Sequence, residues 1–262
     1  MVQNQKTMIK KIIVTALVLN CLISFGQEAW LDSLAIYTEA QAKLDSIDKW
    51  QQQVEMARQK KDVDTELLGL YKILDTKVFD FGNTQRYDEY EEVVLLEALI
   101  EQYPNNVVTL KIKAGSYYVL GKYFNNQRIA KNYTEGILDD VLAKKAIENF
   151  EKAQEVALKN TDWYVYYHAK ILLDANLKGY SPDQLIPQYL TLEKEIKQKK
   201  AYEVLSRLYQ GFSFQYRIKG DYEKAIAYAK KAISKNLRKR RLNQLLNNTA
   251  CCLLYTSPSP RD

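Results

Sequence analysis

Residues that commonly do chemistry are scarce in this chain. Its 262 residues include one histidine, His168. A single imidazole with no cysteine or acidic cluster beside it in sequence cannot complete a metal site or an acid–base pair. His168 follows the aromatic and β-branched residues 163–167 in a stretch that is typical of a helix. We therefore expect it to have a structural role.

The three cysteines lie close to the two ends of the chain. Cys21 is in a segment that has the features of a signal peptide, and Cys251 and Cys252 are near the C-terminus. Residues 27–250 contain no thiol, so no disulfide and no cysteine-based metal site can form within them. An exported protein of this composition has to be stable through packing alone.

Other short motifs lack the surrounding sequence that their usual chemistry requires. Asp80-Phe81-Gly82 spells the metal-binding tripeptide of protein kinases, but the chain has no glycine-rich loop and no His-Arg-Asp sequence. It also lacks a phosphate-binding loop and a Gly-x-Ser-x-Gly motif. The acidic run at residues 88–92 is typical of a solvated helix face. We expect no enzymatic activity, no metal and no cofactor in this segment.

One basic run, residues 235–241, could bind nucleic acid or an acidic partner. Alternatively, its cations end a helix, where they offset the negative end of the helix dipole. The formal charge of +6 falls to about +3 once both terminal segments are set aside, which is weak evidence for nucleic-acid binding. We favour the helix-terminal role and expect no nucleic-acid partner.

The N-terminal 26 residues have the order of a secretory signal peptide. Lysines precede an apolar stretch from Ile12 to Phe25, and small residues stand before Gln27, where cleavage would follow Gly26. The stretch is too short to span a bilayer comfortably. The chain is therefore expected to be exported, either to a periplasm or as a secreted protein. Lipidation at Cys21 is disfavoured, because Asn20 replaces the small residue that such a site needs.

The C-terminal residues 252–262 differ from the helical sequence before them. Their order resembles an in-frame translation of the adapter used in transposase-based sequencing libraries, and Cys251 lies at the junction. Residues 251–262 are therefore interpreted as a junction and artefact, with the natural chain cut after Ala250. A membrane contact would require lipidation at Cys21 or an anchor beyond this cut.

The rest of the chain has a strongly helical pattern. Glycine and proline total nine and five residues, fewer than a fold with many tight turns would have, and only three of the prolines lie between residues 27 and 250. Apolar residues recur at steps of three, four and seven, and Ser181-Pro182-Asp183 is a typical helix start. A loop is expected from about Asn125 to Asp140, and Gly121 is expected to end the helix before it.

The clearest unit spans residues 201–237. Leu205, Leu208, Phe212 and Tyr216 form one apolar face, Gly220-Asp221 makes a turn, and Ala225, Ala229 and Ala232 form a seam of small residues on the returning helix. Residues 220–232 resemble the turn and second helix of a tetratricopeptide repeat (TPR). Tyr209, Phe212, Ser213, Tyr216, Ala225 and Ala232 match positions of that family, whereas Ala229 and Leu237 depart from it. A degenerate helical repeat of another kind is the alternative.

The resemblance implies an all-α fold, a right-handed α-solenoid of stacked helix-turn-helix repeats. One or two capping helices (27–60) would precede repeats at about 61–104, 107–160, 161–199 and 201–237, with another starting at 242. The 20 tyrosines are explained by packing of large side chains against small ones.

The resemblance also implies a function, which is protein–protein interaction by an exported scaffold. In this family the first helices form a concave binding surface. The matching positions of this chain are Arg207, Gln210, Phe214, Arg217, Tyr166, Leu173, Lys111 and Tyr118. The partner would be another protein or a peptide. The alternative is the sensor region of a truncated signalling protein, a membrane histidine kinase or a DNA-binding regulator, with its output domain beyond the cut.

Overall fold

The computed structural model describes residues 42, 44–80 and 91–235. Helix accounts for 86% of these residues and none of them is in a strand, so the all-α expectation is confirmed. The predicted signal peptide, the basic residues 236–241, the repeat start at 242 and the C-terminal tail lie outside the described residues.

The described residues form nine α-helices and one short 3₁₀-helix. The first helix, α1, covers residues 44–60. The others are α2 (Val63–Asp80), α3 (Glu91–Gln102), α4 (Val107–Glu135), α5 (Asp140–Lys159), α6 (Trp163–Asn176), α7 (Pro182–Gln198), the 3₁₀-helix Tyr202–Val204, α8 (Leu205–Ile218) and α9 (Tyr222–Ser234).

Side chains at the helix starts satisfy backbone N–H groups that have no partner within the helix. The predicted start of α7 is confirmed, since Ser181 and Gln184 form a reciprocal capping box. Asp139, Asp162 and Asp221 cap α5, α6 and α9, and each carboxylate accepts a hydrogen bond from the backbone N–H three residues later. These caps fix where each helix begins and therefore which side chains face its neighbours.

The predicted loop at residues 125–140 is wrong over most of its length. Helix α4 continues to Glu135 and ends at Gly136, whose φ of 69° is left-handed. Its amide-rich sequence suggested a loop, but Tyr123, Phe124 and Asn125 are buried. Tertiary packing against α5 thus overrides the weak local preference. Gly121 lies inside this helix and does not end it.

Glycine lets an aromatic ring of another helix approach closely at three places. A Cβ atom at Gly115 would lie 2.8 Å from the Tyr71 hydroxyl oxygen, and one at Gly121 would lie 2.8 Å from Phe150 Cδ1. At Gly211 it would lie 2.7 Å from Tyr189 Cε2. Each aromatic ring occupies the space that a larger residue would need, so these glycines set the distance between neighbouring helices.

The helices pack both with their sequence neighbours and with the next helix but one. Helix α4 contacts α2 and α6, and α6 contacts α8. One apolar core extends from Ile47 to Leu173, and a second extends from Tyr167 to Ala232. The half-buried ring of Tyr166 packs against both cores, which makes the packing continuous through α6. The predicted alanine seam of α9 is confirmed as buried.

Two kinds of turn alternate along the chain. Left-handed glycines, Gly136, Gly179 and Gly220, follow α4, α6 and α8. The turns after α1, α5 and α7 instead place Lys61, Thr161 and Lys200 at φ angles of 57°, 55° and 58°. After each of these three residues, the next backbone N–H donates to a carbonyl five residues back, as in a Schellman-type helix end.

We predict that Gly121→Ala lowers the free energy of unfolding by about 1 kcal/mol, although alanine in an open helix position would raise it by a similar amount. The reason is the clash with the Phe150 ring. Chemical denaturation of the chain and its variants measures the change. In a Phe150→Leu background the same substitution should be neutral or stabilising, and a stabilising effect in the wild-type background would contradict the contact.

We also predict that stability falls as pH rises from 10 to 12. Burial raises the pKa of Tyr71 to about 12, and burial together with a 2.9 Å hydrogen bond from its hydroxyl to the Glu193 carboxylate raises the pKa of Tyr209 to about 12. Between the ordinary value near 10 and the raised value, the unfolded chain has lost protons that the folded chain retains. The stability that these two tyrosines contribute is therefore fully present below pH 10 and declines above it. Urea denaturation between pH 8 and 12 checks this, and Tyr209→Phe should flatten part of the slope. An equal slope in this variant would exclude Tyr209 as a contributor.

Candidate protein-binding surface

Helix α8 has one buried face and one solvent-facing side. Arg207, Gln210, Phe214 and Arg217 recur at steps of three and four, so they lie along one side of the helix. We call these four residues the outer face of α8. The ring of Phe214 is 48% exposed, whereas Phe212, two residues earlier, is fully buried. The three polar members are partly exposed.

Contacts on the inner side hold α8 between α7 and α9. The ring of Phe212 lies edge-on to Tyr189, with centroids 5.3 Å apart, and stacks on Tyr228 at 4.4 Å. The Ser206 hydroxyl donates to the carbonyl oxygen of Ala232 at 3.1 Å. The Tyr209 hydroxyl donates to Glu193 on α7. These contacts fix the rotation of α8 and so keep its outer face turned away from the core.

The outer face contains two local interactions. The Arg217 guanidinium lies over the Phe214 ring, 5.1 Å from its centroid, which is a cation–π arrangement. Arg207 Nη1 donates to Gln210 Oε1 at 3.3 Å. Both arginines keep further N–H donors, because a guanidinium has five. The surface thus offers a partly ordered aromatic ring and two cations that can still bind carboxylates.

Arg207 also acts on the buried hydroxyl of Tyr189. Burial raises the pKa of Tyr189 well above its ordinary value, the positive charge of Arg207 opposes this, and the negative charge of Asp174 adds to it. Asp174 is buried and forms ion pairs with Lys170 at 3.1 Å and Lys178 at 3.2 Å. The charge of Asp174, near the end of α6, is therefore compensated by two lysines.

The predicted surface residues on the earlier helices are placed differently. Leu173 is 1% exposed and Tyr118 is 4% exposed, so both are core residues and leave the candidate surface. Tyr166 is half-buried, with its ring edge-on to Trp163 at 6.1 Å. The side chain of Lys111 lies outside the described part of the structure. The four residues of α8 lie along one face, whereas Leu173 and Tyr118 are enclosed in the core.

The sequence reasoning missed Tyr164, the large exposed aromatic of α6. Its side chain is 40% exposed, and its ring lies 4.2 Å from the His168 ring, one helical turn later. His168 is buried and Nδ1 donates to the Tyr164 carbonyl oxygen at 2.9 Å. The His168 ring also lies edge-on to the ring of Tyr118. The capping role of Asp162 could have fixed the start of α6, and thereby shown which tyrosines share an exposed face.

In the part of the chain that the structure describes, no group of three or more histidine, cysteine, aspartate or glutamate side chains could hold a metal ion. No helix among residues 42, 44–80 and 91–235 has both the length and the apolar character that a bilayer span requires.

Comparisons of the chain with protein-family models, curated proteins and solved structures give no match. Its function has to be inferred from its own residues and their geometry. One side of α8 presents an exposed aromatic ring, two guanidinium groups and an amide. Aromatic and arginine side chains of this kind are common among the residues that dominate binding energy in protein interfaces.

We predict that substitutions at two residues that the sequence placed on the same surface change the free energy of unfolding by very different amounts. Leu173→Ala should lower the free energy of unfolding by about 2–5 kcal/mol, because it leaves a cavity in the core. Arg217→Ala should change it by no more than about 0.5 kcal/mol, because the side chain is at the surface. Denaturant titration of both variants measures the difference. Similar losses for the two substitutions would contradict the placement of Leu173 in the core and Arg217 outside it.

Proposed function

We propose that this chain is an exported, TPR-like α-solenoid scaffold that binds another protein through the outer face of α8. The alternating turns support a repeat of helical hairpins, because left-handed glycines recur at intervals of roughly 40 residues, a typical length for such units. Contacts from α2 to α4, from α4 to α6 and from α6 to α8 support the stacking of successive hairpins.

The observation that carries the proposal is the contrast between Phe212 and Phe214. A phenylalanine that is nearly half exposed, on a helix whose opposite face is fully packed, adds nothing to the core. Arg217 lies over its ring and keeps its charge available at the surface. In a binding role, the ring supplies apolar area and the guanidinium supplies directed hydrogen bonds to a carboxylate.

The chemistry of the outer face favours a particular kind of partner. Arg207 and Arg217 are positive and lie about three helical turns apart, on either side of an apolar ring. A protein segment with two acidic side chains flanking an apolar or aromatic one would match both groups. We propose that such a segment belongs to another exported protein, in keeping with the N-terminal signal.

A photo-crosslinking experiment tests this function. A photoreactive phenylalanine analogue at position 214 should capture a specific partner in the exported fraction, whereas the same analogue at exposed Leu158 on α5 should not. We predict that the double substitution Arg207→Ala with Arg217→Ala weakens binding of the captured partner at least about tenfold, since interface residues of these types often contribute this much.

The control removes two positive charges elsewhere. Lys144→Ala with Lys159→Ala changes the net charge equally, at side chains on α5 that are strongly exposed. This variant should bind the partner as the wild type does. If the Arg207 and Arg217 variant retains full binding, or if both double variants weaken it equally, the outer face of α8 is not the binding surface.

A further inference from the structure

Helix α3 has an exposed side that the core does not use. Its buried side includes Val93, Leu96 and Ile100. On the opposite side, four exposed residues recur at steps of three, four and three. We call them the outer stripe of α3, and they are Glu91, Val94, Ala98 and Glu101. Val94 is 68% exposed, so the stripe places an apolar centre between two carboxylates.

The outer stripe of α3 has the same spacing as the outer face of α8 and the opposite charge. On both helices the two charged residues are ten positions apart, which is about 15 Å along the helix axis. The two residues between them fall at the same steps of three, four and three. This spacing is symmetric, so the two surfaces match in either relative direction of the helices. Helix α3 therefore has the acidic, apolar, acidic order that the chemistry of α8 favours.

The charges of both surfaces are uncompensated in the part of the chain that the structure describes. Neither Glu91 nor Glu101 forms an ion pair there, whereas the buried Glu92 is paired with Lys77. The two arginines of α8 form no ion pair there either, and they contact a neutral amide and an aromatic ring. One exposed ion pair contributes only about 0.2–1 kcal/mol. Two pairs beside an apolar contact chiefly fix the register and exclude other partners.

The two surfaces belong to different parts of the helical array. Helix α3 packs against α2 and α4, and its buried residues are in the first core. Helix α8 packs against α6, α7 and α9, and its buried residues are in the second core. Contact between the two surfaces therefore requires two copies of the chain.

We propose that the partner of the outer face of α8 is a second copy of this chain, which binds through the outer stripe of its α3. This inference rests on the binding role proposed above for α8. The helices would be antiparallel, since this direction sets Phe214 against Val94 and each arginine against a glutamate. The parallel direction would instead set the apolar Val94 against Gln210.

Sedimentation equilibrium of the full chain between about 10 and 300 µM measures the association. One pair of short helices is a small interface, so we expect a weak complex with a Kd of about 100 µM at low ionic strength. Raising the salt concentration from about 0.05 M to 0.5 M should weaken it severalfold, because salt screens exposed charges.

Two charge-reversal variants test the pairing. One is Glu91→Arg with Glu101→Arg, and the other is Arg207→Glu with Arg217→Glu. Each variant alone has like charges on both surfaces, so its self-association should be at least about tenfold weaker than that of the wild type. An equimolar mixture should associate again, because the basic α3 of one variant then meets the acidic α8 of the other.

Matched controls separate this contact from general effects of charge and apolar area. Glu148→Arg with Glu155→Arg reverses two exposed charges on α5 and should leave the association unchanged. Val94→Ser should weaken it severalfold, whereas Val141→Ser on α5 should not. Both valines are 68% exposed, so neither substitution disturbs the core.

The proposal is wrong if the wild type remains a monomer up to about 300 µM at low salt, or if the mixed variants fail to associate. Equal effects of Val94→Ser and Val141→Ser would also contradict it. Circular dichroism shows whether the reversal variants are folded, and if they are not, the two serine variants decide the question. If the wild type is a monomer but the crosslinker at position 214 captures a different protein, only the second copy is excluded. If position 214 captures no protein at all, the function proposed for α8 is wrong as well.

Discussion

The contact of a large side chain on one helix with a glycine or alanine on the next holds the described helices together. Tyr71 fits against Gly115, Phe150 against Gly121, and Tyr189 against Gly211. A helical hairpin cannot bury its apolar face alone, so each depends on the next for its core. With no cysteine between residues 27 and 250, no disulfide within that span can replace this packing.

This packing separates the structural residues of α8 from the residues that we propose bind a partner. Its inner side is committed to α7 and α9, with Phe212 between the rings of Tyr189 and Tyr228. Because the inner contacts fix the helix, its outer face can present side chains without contributing to stability. Phe214 and Arg217 are therefore held in position by the residues of the inner side, and such preorganisation would lower the entropy cost of the proposed binding.

Much of the fold can be read from the sequence, because local signals and burial agree there. Ser181 caps α7, Asp162 caps α6, and the alanine seam of α9 is buried. The predictions from sequence were wrong where burial depends on distant helices. The amide-rich end of α4 and the core position of Leu173 follow from neighbours that no local pattern specifies.

The candidate sites show the same division. The exposed side of α8 could be predicted, because the apolar stripe on its opposite side is clear in sequence. The same approach was wrong for Leu173 on α6, which is buried. The burial of Glu92 could not be predicted, because a carboxylate within the acidic run at residues 88–92 has the same sequence pattern whether it is solvated or buried.

The turns indicate that packing, more than local preference, determines how the hairpins connect. Glycine adopts a left-handed conformation without strain at Gly136, Gly179 and Gly220, but Thr161 adopts the same conformation with a branched Cβ. That conformation costs a non-glycine residue about 1–2 kcal/mol. At Thr161 this cost is offset by the contacts of the next residue. The N–H of Asp162 donates to the carbonyl oxygen of Ala157, a fully buried residue of α5, and the Asp162 side chain caps α6. The strain is thus local, whereas the compensating contacts belong to two helices and to the core between them.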